Sequence, residues 1–246
     1  MLRRLPVVLL AVAATVVHAD HHEPGETEFR PLFNGTDLEG WHGDDRFWSV
    51  RNGAIVGETT PDNPAPHNTF LICDAGKFGD FELRFSYKVA GFNSGMQYRS
   101  VEEDDFVVSG YQADFEARWH DDNTADKFTG MFFEENGRMF MGQRGQAVTV
   151  RPGGDEPEID VIATVGDPDE LESNIDRDGG WNDYIVIADG YQFTHIVNGR
   201  VMSMGYDLDP EHRRPDGIFA LQLHSGTPMR IDVKDIRVRR LISDDR

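Results

Sequence analysis

Short apolar runs separated by Gly, Asn and Asp fill the chain from Phe29 onward. In the segment 81–89 apolar and polar residues alternate strictly, which predicts a strand with one buried face and one face in water. Two-residue hairpin turns favour Asn-Gly and Asp-Gly, and these dipeptides separate apolar runs at 52–53, 189–190 and 198–199. About a dozen such strands joined by tight turns predict an all-β fold, an antiparallel β-sandwich in a single domain.

Three segments depart from this pattern of strands and turns. The apolar phase changes between 231–233 and 236–238, which predicts a β-bulge at 234–235. A helical period is limited to a turn or two within 168–175. Residues 150–180 are rich in Pro, Gly and Asp, and we interpret them as a long loop over one face of the sheet, where substrate choice would arise.

The beginning of the chain has the composition of a targeting segment. A basic start and an apolar run over 5–17 end in small residues, so residues 1–19 are predicted to be a signal peptide. Residues 20–28 are polar and are predicted to be a flexible lead-in, and the sandwich domain is assigned to 29–246. The apolar run is shorter than the roughly 20 residues that a membrane span needs. We therefore expect an exported protein, periplasmic or extracellular, with no membrane partner.

The chain is strongly acidic, with 44 Asp and Glu against 24 Lys and Arg and a formal net charge of −20. Nucleic acid and anionic membranes are bound through surplus Lys and Arg, so this balance argues against both as partners and suits a neutral or cationic ligand. No Walker loop, HExxH or EF-hand pattern occurs, and Cys73 is the only cysteine. We therefore predict no metal and no cofactor, and leave open a structural cation held by loop carboxylates.

Three predicted strands carry polar residues of an unusual type on one face. Solvated sheet faces usually carry Lys, Glu and Thr, whereas Gln, Arg, Asp and His suit oriented hydrogen bonds to a ligand. If the strands are neighbours, their polar faces line one cleft; the alternative is that each face is simply the solvated side of a sheet. The residues concerned are Gln97 with Arg99, Gln112 with Asp114 and Glu116, and Gln222 with His224.

Exposed tryptophans offer platforms for sugar rings, although packing in the core is their commoner role. The candidates are Trp41, Trp48, Trp119 and Trp181. We place Trp119, which follows a predicted polar strand, at the rim of the cleft. A conventional jelly-roll glycosidase would need two carboxylates flanking the bond. The segment 158–164 begins with Glu and Asp in suitable order but ends in Ala and Thr where the second glutamate is needed, so we interpret this match as accidental.

A series of short motifs runs through the chain. They are PLFNGTDLEGW from Pro31, WSVRNG from Trp48, NSGMQYR from Asn93, GYQAD from Gly110, WND from Trp181, HIVNG from His195 and GIFALQLH from Gly217. Their order and spacing over 29–241 resemble the 3-keto-disaccharide hydrolase family, also described as 3-keto-glucoside 1,2-lyase/3-keto-2-hydroxyglucal hydratase. The resemblance implies a jelly roll of the concanavalin-like kind.

The resemblance also implies a chemistry, on a 3-keto sugar that a separate sugar oxidoreductase has first oxidised at C3. A C3 ketone acidifies the C2 proton, so a modest base removes it, the C1 leaving group is expelled, and water adds back. The net result is hydrolysis of the glycan without paired glutamates. The implied site residues are His195 or Asp114 as base, Arg99 as stabiliser of the enolate, Gln112, Gln222 and His224 as orienting donors or acid, and Gln97, Trp119 and Asn198 as substrate contacts.

The chain departs from the family pattern at Gln112, where many relatives carry Glu. If that Glu is catalytic, a protein with Gln in its place would bind sugar without cleaving it. Two alternatives to the 3-keto-glycoside hydrolase therefore stay open, a non-catalytic carbohydrate-binding or lectin-like domain and a conventional glycosidase.

Overall fold

The computed structural model describes residues 28–117, 128–154 and 156–241. The predicted signal peptide at 1–19, nearly all of the predicted lead-in and Trp119 lie outside these ranges, so their assignments stay predictions. Within the described ranges, no helix is both long and apolar enough to cross a membrane.

Strands dominate the described residues, as the alternating pattern predicts. They run in chain order, with a 3₁₀ turn at Asp104–Phe106 between β7 and β8 and the helix α1 between β12 and β13. The elements are β1 (Arg30–Pro31), β2 (Trp41–His42), β3 (Trp48–Arg51), β4 (Ala54–Glu58), β5 (Thr69–Cys73), β6 (Phe81–Ala90), β7 (Asn93–Glu102), β8 (Val108–Glu116), β9 (Phe132–Glu135), β10 (Met139–Gly142), β11 (Gln146–Arg151), β12 (Glu158–Thr164), α1 (Pro168–Glu172), β13 (Asn182–Asp189), β14 (Gln192–Val197), β15 (Arg200–Asp207), β16 (Ile218–Leu223) and β17 (Arg230–Arg240).

The strands form two sheets that pack face to face. One has ten strands in the order β12-β11-β15-β14-β13-β6-β17-β4-β3, with β1 added to β17, and the other has seven in the order β10-β9-β8-β7-β16-β5-β2. Neighbours pair antiparallel, except that β11 runs parallel to β15. The predicted all-β sandwich in a single domain is confirmed.

Aromatic side chains fill the space between the sheets. Tyr87 of β6 stacks on Phe115 of β8 with ring centroids 4.3 Å apart, and Phe81 meets Tyr98 of β7 at 6.0 Å. All four are 0–1% exposed, and full burial of such a side chain stabilises the fold by about 1.5–3 kcal/mol. This aromatic layer occupies the inner face of β7 and β8, so their polar residues lie on the outer face of the seven-stranded sheet.

Local backbone features follow the sequence in most places. The register of β17 shifts after Lys234, and Asp235 has φ of 54°, which confirms the predicted bulge. Helix α1 is capped by Asp167, whose side chain accepts from two backbone N–H groups. The expectation of a loop across 150–180 is wrong for its middle part, because β12 pairs with β11 at the edge of the ten-stranded sheet.

Candidate functional site

Strand β8 provides three polar side chains to the outer face of the seven-stranded sheet. Residues two apart on a strand point the same way, so Gln112, Asp114 and Glu116 lie opposite the buried aromatic face of the strand. Each is only 2–3% exposed, which is far less than a solvated sheet face would show. These three side chains therefore lie in a recess of the surface rather than on an open, solvated sheet face.

A cavity of about 440 Å³ lies over these residues. Its lining combines amides, carboxyls and one imidazole with a group of aromatic side chains, and it draws on six strands of the seven-stranded sheet or on the segments beside them. The described lining residues are Asn68, Phe92, Asn93, Gln112, Asp114, Glu116, Ala117, Phe128, Phe133, Glu135, Asn136, Met139, Phe140, Gln222 and His224. A mostly apolar cavity with a few converging polar groups is the usual form of a small-molecule site.

A chain of amides orients Asp114 at the base of the cavity. The amide nitrogen of Gln97 donates to Oε1 of Gln112, whose own amide nitrogen donates to Oδ1 of Asp114. Burial raises the pKa of Asp114 well above its usual range, against the opposing hydrogen bond from Gln112. Because Gln112 takes Oδ1 as its acceptor, a proton on Asp114 is placed on the other oxygen, Oδ2.

Gly95 makes room for the Gln112 side chain. A Cβ added at Gly95 would lie 2.3 Å from Cγ of Gln112, which is far inside van der Waals contact. We predict that Gly95→Ala leaves the fold intact, because Gly95 has no positive φ, but displaces Gln112 and weakens sugar binding by about tenfold. Titration calorimetry of sugar binding to both proteins tests this prediction, and an affinity of the variant equal to that of the wild type would contradict it. Gly40→Ala, which meets no atom within 4 Å but has φ of 82°, controls for a general loss of stability.

Glu135 of β9 is a second buried carboxyl of the cavity. It accepts from the side-chain amides of Asn68 and Gln222, both at 2.9 Å. Burial raises the pKa of Glu135, and these two hydrogen bonds and the nearby His224 oppose that rise. Glu135 therefore connects the loop before β5 to strand β16 and holds both amides in place.

His224 follows β16 and adds an imidazole to the lining. Its Nδ1 lies 2.7 Å from the carbonyl oxygen of Ser225, and since a carbonyl only accepts, Nδ1 carries a proton. The neutral ring then has its lone pair on Nε2. Phe92 packs edge to face against the ring with centroids 4.6 Å apart, which fixes its orientation.

Glu116 is held from below by a buried ion network. Arg177, 3% exposed, bonds to Oε1 of Glu116 at 3.2 Å and also to Glu172, which in turn pairs with Arg144 at 2.6 Å. Burial raises the pKa of Glu116 to about 7, although Arg177 opposes the rise. A carboxyl that titrates near neutrality in a cavity is suited to proton transfer.

Apolar side chains of β9 and β10 line the cavity beside its polar groups. Phe140 of β10 stacks on Phe128 with centroids 5.8 Å apart and meets Phe133 edge to face at 5.1 Å. Phe140 and its neighbour Met139 are each 48% exposed. Carboxyls and amides next to aromatic rings suit a sugar, which has hydroxyl edges and C–H faces.

Comparison with known proteins places this geometry in a family. The sequence matches the family described as the 3-keto-alpha-glucoside-1,2-lyase-like domain over residues 28–239. The chain belongs to this family. Membership indicates a carbohydrate-active domain, either glycosyl hydrolase-like or carbohydrate-binding. None of the curated proteins compared with the chain matches it.

Solved structures of low sequence identity share the fold of this 3-keto-glucoside lyase-like domain. A candidate glycosyl hydrolase from Parabacteroides distasonis has 17% identity and a TM-score of 0.56 over 87% of this chain and 100% of its own. A Bacillus subtilis protein of unknown function with a galectin-like fold has 11% identity and a TM-score of 0.56 over 87% and 94%. The carbohydrate binding module CBM66 of B. subtilis has 17% identity and a TM-score of 0.50 over 81% and 95%.

The structure brings together four of the residues predicted for the site of this lyase-like domain. Gln112, Asp114, Gln222 and His224 all line the cavity. Gln97 lies directly beneath them and is hydrogen-bonded to Gln112. Trp119 lies outside the described residues.

Arg99 is not in the cavity, which corrects the prediction that it shares a face with Gln97. The register of β7 shifts after Tyr98 and Arg99 has φ of 46°, so Ser100, rather than Arg99, bonds to Gln97. The Arg99 guanidinium is fully buried, where it donates to Asp80 at 2.8 Å and to three backbone carbonyls. Arg99 therefore connects loops at one end of the sandwich and has no position from which to stabilise an enolate in the cavity.

His195 and Asn198 are also outside the cavity, which corrects their predicted roles. His195 lies on the inner face of β14, is 1% exposed, and has its Nε2 3.0 Å from the hydroxyl of Tyr98. Asn198, with φ of 48°, forms the hairpin turn after β14 and accepts from the backbone N–H of Asp183 at 2.8 Å. Both stabilise the ten-stranded sheet and its packing.

His195 gives the fold a distinct dependence on pH. Burial lowers the pKa of His195 from 6.5 to about 4, so the unfolded chain takes up a proton first as the pH falls. Stability is therefore lost between pH 6.5 and 4, by about 3 kcal/mol from this residue. We predict that His195→Gln flattens this part of the stability curve in urea unfolding and retains activity on sugar. Loss of turnover with an intact fold would restore His195 as a catalytic candidate.

Several residues of the cavity carry no signal that the sequence pattern could reveal. Asn68, Glu135 and Phe140 come from separate segments of the chain and meet only in the folded sheet. Glu116 is on the predicted polar face, but its partner Arg177 lies in the segment interpreted as a loop. Within the described ranges, no group of three or more His, Cys, Asp or Glu side chains could hold a metal ion.

Proposed function

We propose that this protein cleaves 3-keto-glycosides by removal of the C2 proton, elimination at C1 and addition of water. The observation that supports the proposal most directly is that Asp114 and His224 line one cavity. Burial favours the protonated form of Asp114, by raising its pKa, while His224 holds a lone pair on Nε2. An acid and a base of this kind are what an elimination next to a ketone requires.

In the proposed first step, Nε2 of His224 removes the C2 proton of the 3-keto sugar. The C2–H electron pair moves into a C2=C3 bond and leaves an enolate on the C3 oxygen. The C3 carbonyl then reforms, a C1=C2 bond is made, and the C1–O bond to the leaving group breaks. Asp114 gives its Oδ2 proton to the departing oxygen, so the leaving group is released as a neutral alcohol.

In the second step, water adds to C1 of the unsaturated ketone. Asp114, now ionised, takes a proton from that water, and the imidazolium of His224 returns a proton to C2. Both residues are restored, and the sum is one glycoside plus one water giving a 3-keto sugar and an alcohol. Glu116, with a pKa raised to about 7 by burial, and Glu135 are further proton-accepting or donating groups along the same face.

The proposal defines what must happen before this reaction. An unoxidised sugar has no acidified C2 proton, so a separate sugar oxidoreductase has to supply the C3 ketone. Phe128, Phe133 and Phe140 line the same cavity as the carboxyls and offer an apolar surface for the leaving group. We further propose that the reaction takes place outside the cytoplasm, because the predicted signal peptide directs export.

The test is incubation of the protein with a 3-keto-disaccharide and, separately, its unoxidised parent in deuterated buffer. NMR follows release of the sugar and deuteration at C2. Release and exchange with the keto sugar alone would support the proposal. Saturable binding of either sugar with no turnover would instead favour a carbohydrate-binding domain, and cleavage of the unoxidised parent would favour a conventional glycosidase.

A further inference from the structure

Strands β6 and β17 present a group of basic side chains on the outer face of the ten-stranded sheet, in contrast to the acidic chain as a whole. Alternation places the side chains of one phase of β6 and β17 on this face, because the other phase, which includes Leu83 and Val233, is buried in the core. We call the resulting set of five residues the cationic face. It consists of Arg84, Lys88, Lys234, Arg237 and Arg239.

Aromatic rings contact all five of these cations. The ring of Phe29 lies 4.6 Å from the guanidinium of Arg84, 4.9 Å from that of Arg239 and 5.8 Å from that of Arg237. Trp181 lies 4.7 Å from Nζ of Lys88 in the same way. A cation held by an aromatic ring keeps its full charge, so these contacts position the groups without neutralising them. In the described part of the chain, carboxylates pair with only Arg84, Arg239 and Lys234 of the five.

Trp181 also contacts Lys234, with Nζ 4.5 Å from its ring. The indole is 38% exposed, and it fixes two ammonium groups from neighbouring strands beside each other. This contact explains why Trp181, unlike Trp41 and Trp48, is not part of the core. Its role in the folded protein is to present cations at the surface.

The strand register places two cations directly opposite each other. Arg84 of β6 pairs with Arg237 of β17, and like charges in this position destabilise a sheet. Arg84 shares the carboxylate of Glu82 with Arg239. Among the described residues, no carboxylate forms an ion pair with Arg237 or with Lys88. The arrangement costs stability in the free protein, and a bound anion would relieve that cost.

Strands β6 and β17 carry more positive than negative groups on this face. Their carboxylates are Glu82, Asp232, which pairs with Arg230, and Asp235, against the five cations and Arg230. Asp183 and Asp189 of the neighbouring β13 add two carboxylates beside them. Arg30 and Arg240 add two more cations at the adjoining end of the sheet, where each bonds a backbone carbonyl. Lys88 and Arg84 are four residues apart on β6, so the cations extend over about 14 Å along the strand.

From this charge complementarity we propose that the cationic face binds an acidic polysaccharide, a glycan chain that bears carboxylate or sulfate groups. A linear polyanion matches cations set in a row along two strands. Single-stranded nucleic acid is a poorer match, because its bases need free aromatic faces for stacking and the ring of Trp181 is already in contact with Lys88 and Lys234. The site is separate from the cavity, which lies on the outer face of the other sheet. The proposal therefore does not depend on whether the cavity is catalytic.

The proposal is tested by affinity electrophoresis of the full chain in gels containing polygalacturonate, or dextran as the neutral polymer. Retardation by polygalacturonate alone, weakening as salt is raised, is the expected result. The variants Arg84→Gln/Arg237→Gln and Lys88→Gln/Lys234→Gln should each weaken binding by at least about fivefold. The matched control is Arg46→Gln/Arg200→Gln, which removes two exposed cations away from β6 and β17 and should bind as the wild type does.

Each other outcome overturns the proposal. Absence of retardation means that the face does not bind this class of polymer, and an equal loss in the control variant means that binding follows net charge alone. Equal or stronger retardation by single-stranded DNA would assign the face to nucleic acid. Thermal unfolding of Arg84→Gln/Arg237→Gln gives an independent reading, because removal of opposed like charges should leave the midpoint unchanged or raise it. A lower midpoint would show that the two arginines are there for stability.

Discussion

Asp114→Asn is expected to separate the two halves of the proposed reaction. Asn cannot supply the proton that the leaving oxygen needs, so release of sugar from a 3-keto-disaccharide should fall by about 10²- to 10⁴-fold, the usual contribution of a general acid. Removal of the C2 proton by His224 does not need Asp114, so C2 should still exchange with deuterium in the substrate that remains. NMR in deuterated buffer measures both rates on one sample.

The companion variant His224→Gln should lose exchange and release together, because it removes the proposed base. Asp235→Asn serves as the matched control, since it makes the same change of charge on the other sheet, at a position whose φ of 54° suits Asn. If exchange and release fall equally in Asp114→Asn, Asp114 is the base. If release is unchanged, Asp114 has no catalytic role.

The sequence predicted the polar face of β8 correctly because a single strand carries all the information needed. Tyr111 and Phe115 are large and apolar, and Gln112 and Asp114 between them are polar, so one inner and one outer face are defined without knowledge of neighbours. The same reasoning predicted β6 and the fold class. The strand alone could not indicate that its outer face would also be buried, at the base of a cavity.

A β-bulge explains why the prediction for Arg99 is wrong. Strict alternation puts Gln97 and Arg99 on the same face, but one irregular residue inverts the phase of everything after it. The shift after Tyr98 depends on pairing with β8 and β16, which is decided by residues far away in the chain. The bulge in β17 was predictable, by contrast, because apolar residues on both sides of it record the change of phase.

The net charge of −20 correctly describes the average surface but hides how charge is distributed. β6 and β17 are neighbours in the sheet although about 150 residues separate them in the chain. Their basic residues therefore form one face only after folding. The same limit applies to the cavity, where Glu135 and Gln222 meet from β9 and β16.

Arg177→Met is expected to destabilise the protein strongly, and more so at high pH. The variant leaves Glu116 buried without its guanidinium partner, and breaking a buried pair in this way costs about 3–5 kcal/mol. Burial already raises the pKa of Glu116 from 4.5 to about 7, so the folded state holds this proton more tightly than the unfolded chain does. Stability from this group is full below pH 4.5 and falls as the pH rises through 7.

Without Arg177 the pKa of Glu116 should rise further, so the fall in stability continues to higher pH. Urea unfolding of both proteins at pH 5 and pH 8 measures this, and the difference between them should be small at pH 5 and clearly larger at pH 8. The double variant Arg177→Met/Glu116→Gln should recover most of the loss at pH 8, because the buried charge is gone, and Glu116→Gln alone provides its reference. Equal losses at both pH values, or no recovery in the double variant, would mean that Arg177 acts by packing α1 against the sheet rather than by compensating the charge of Glu116.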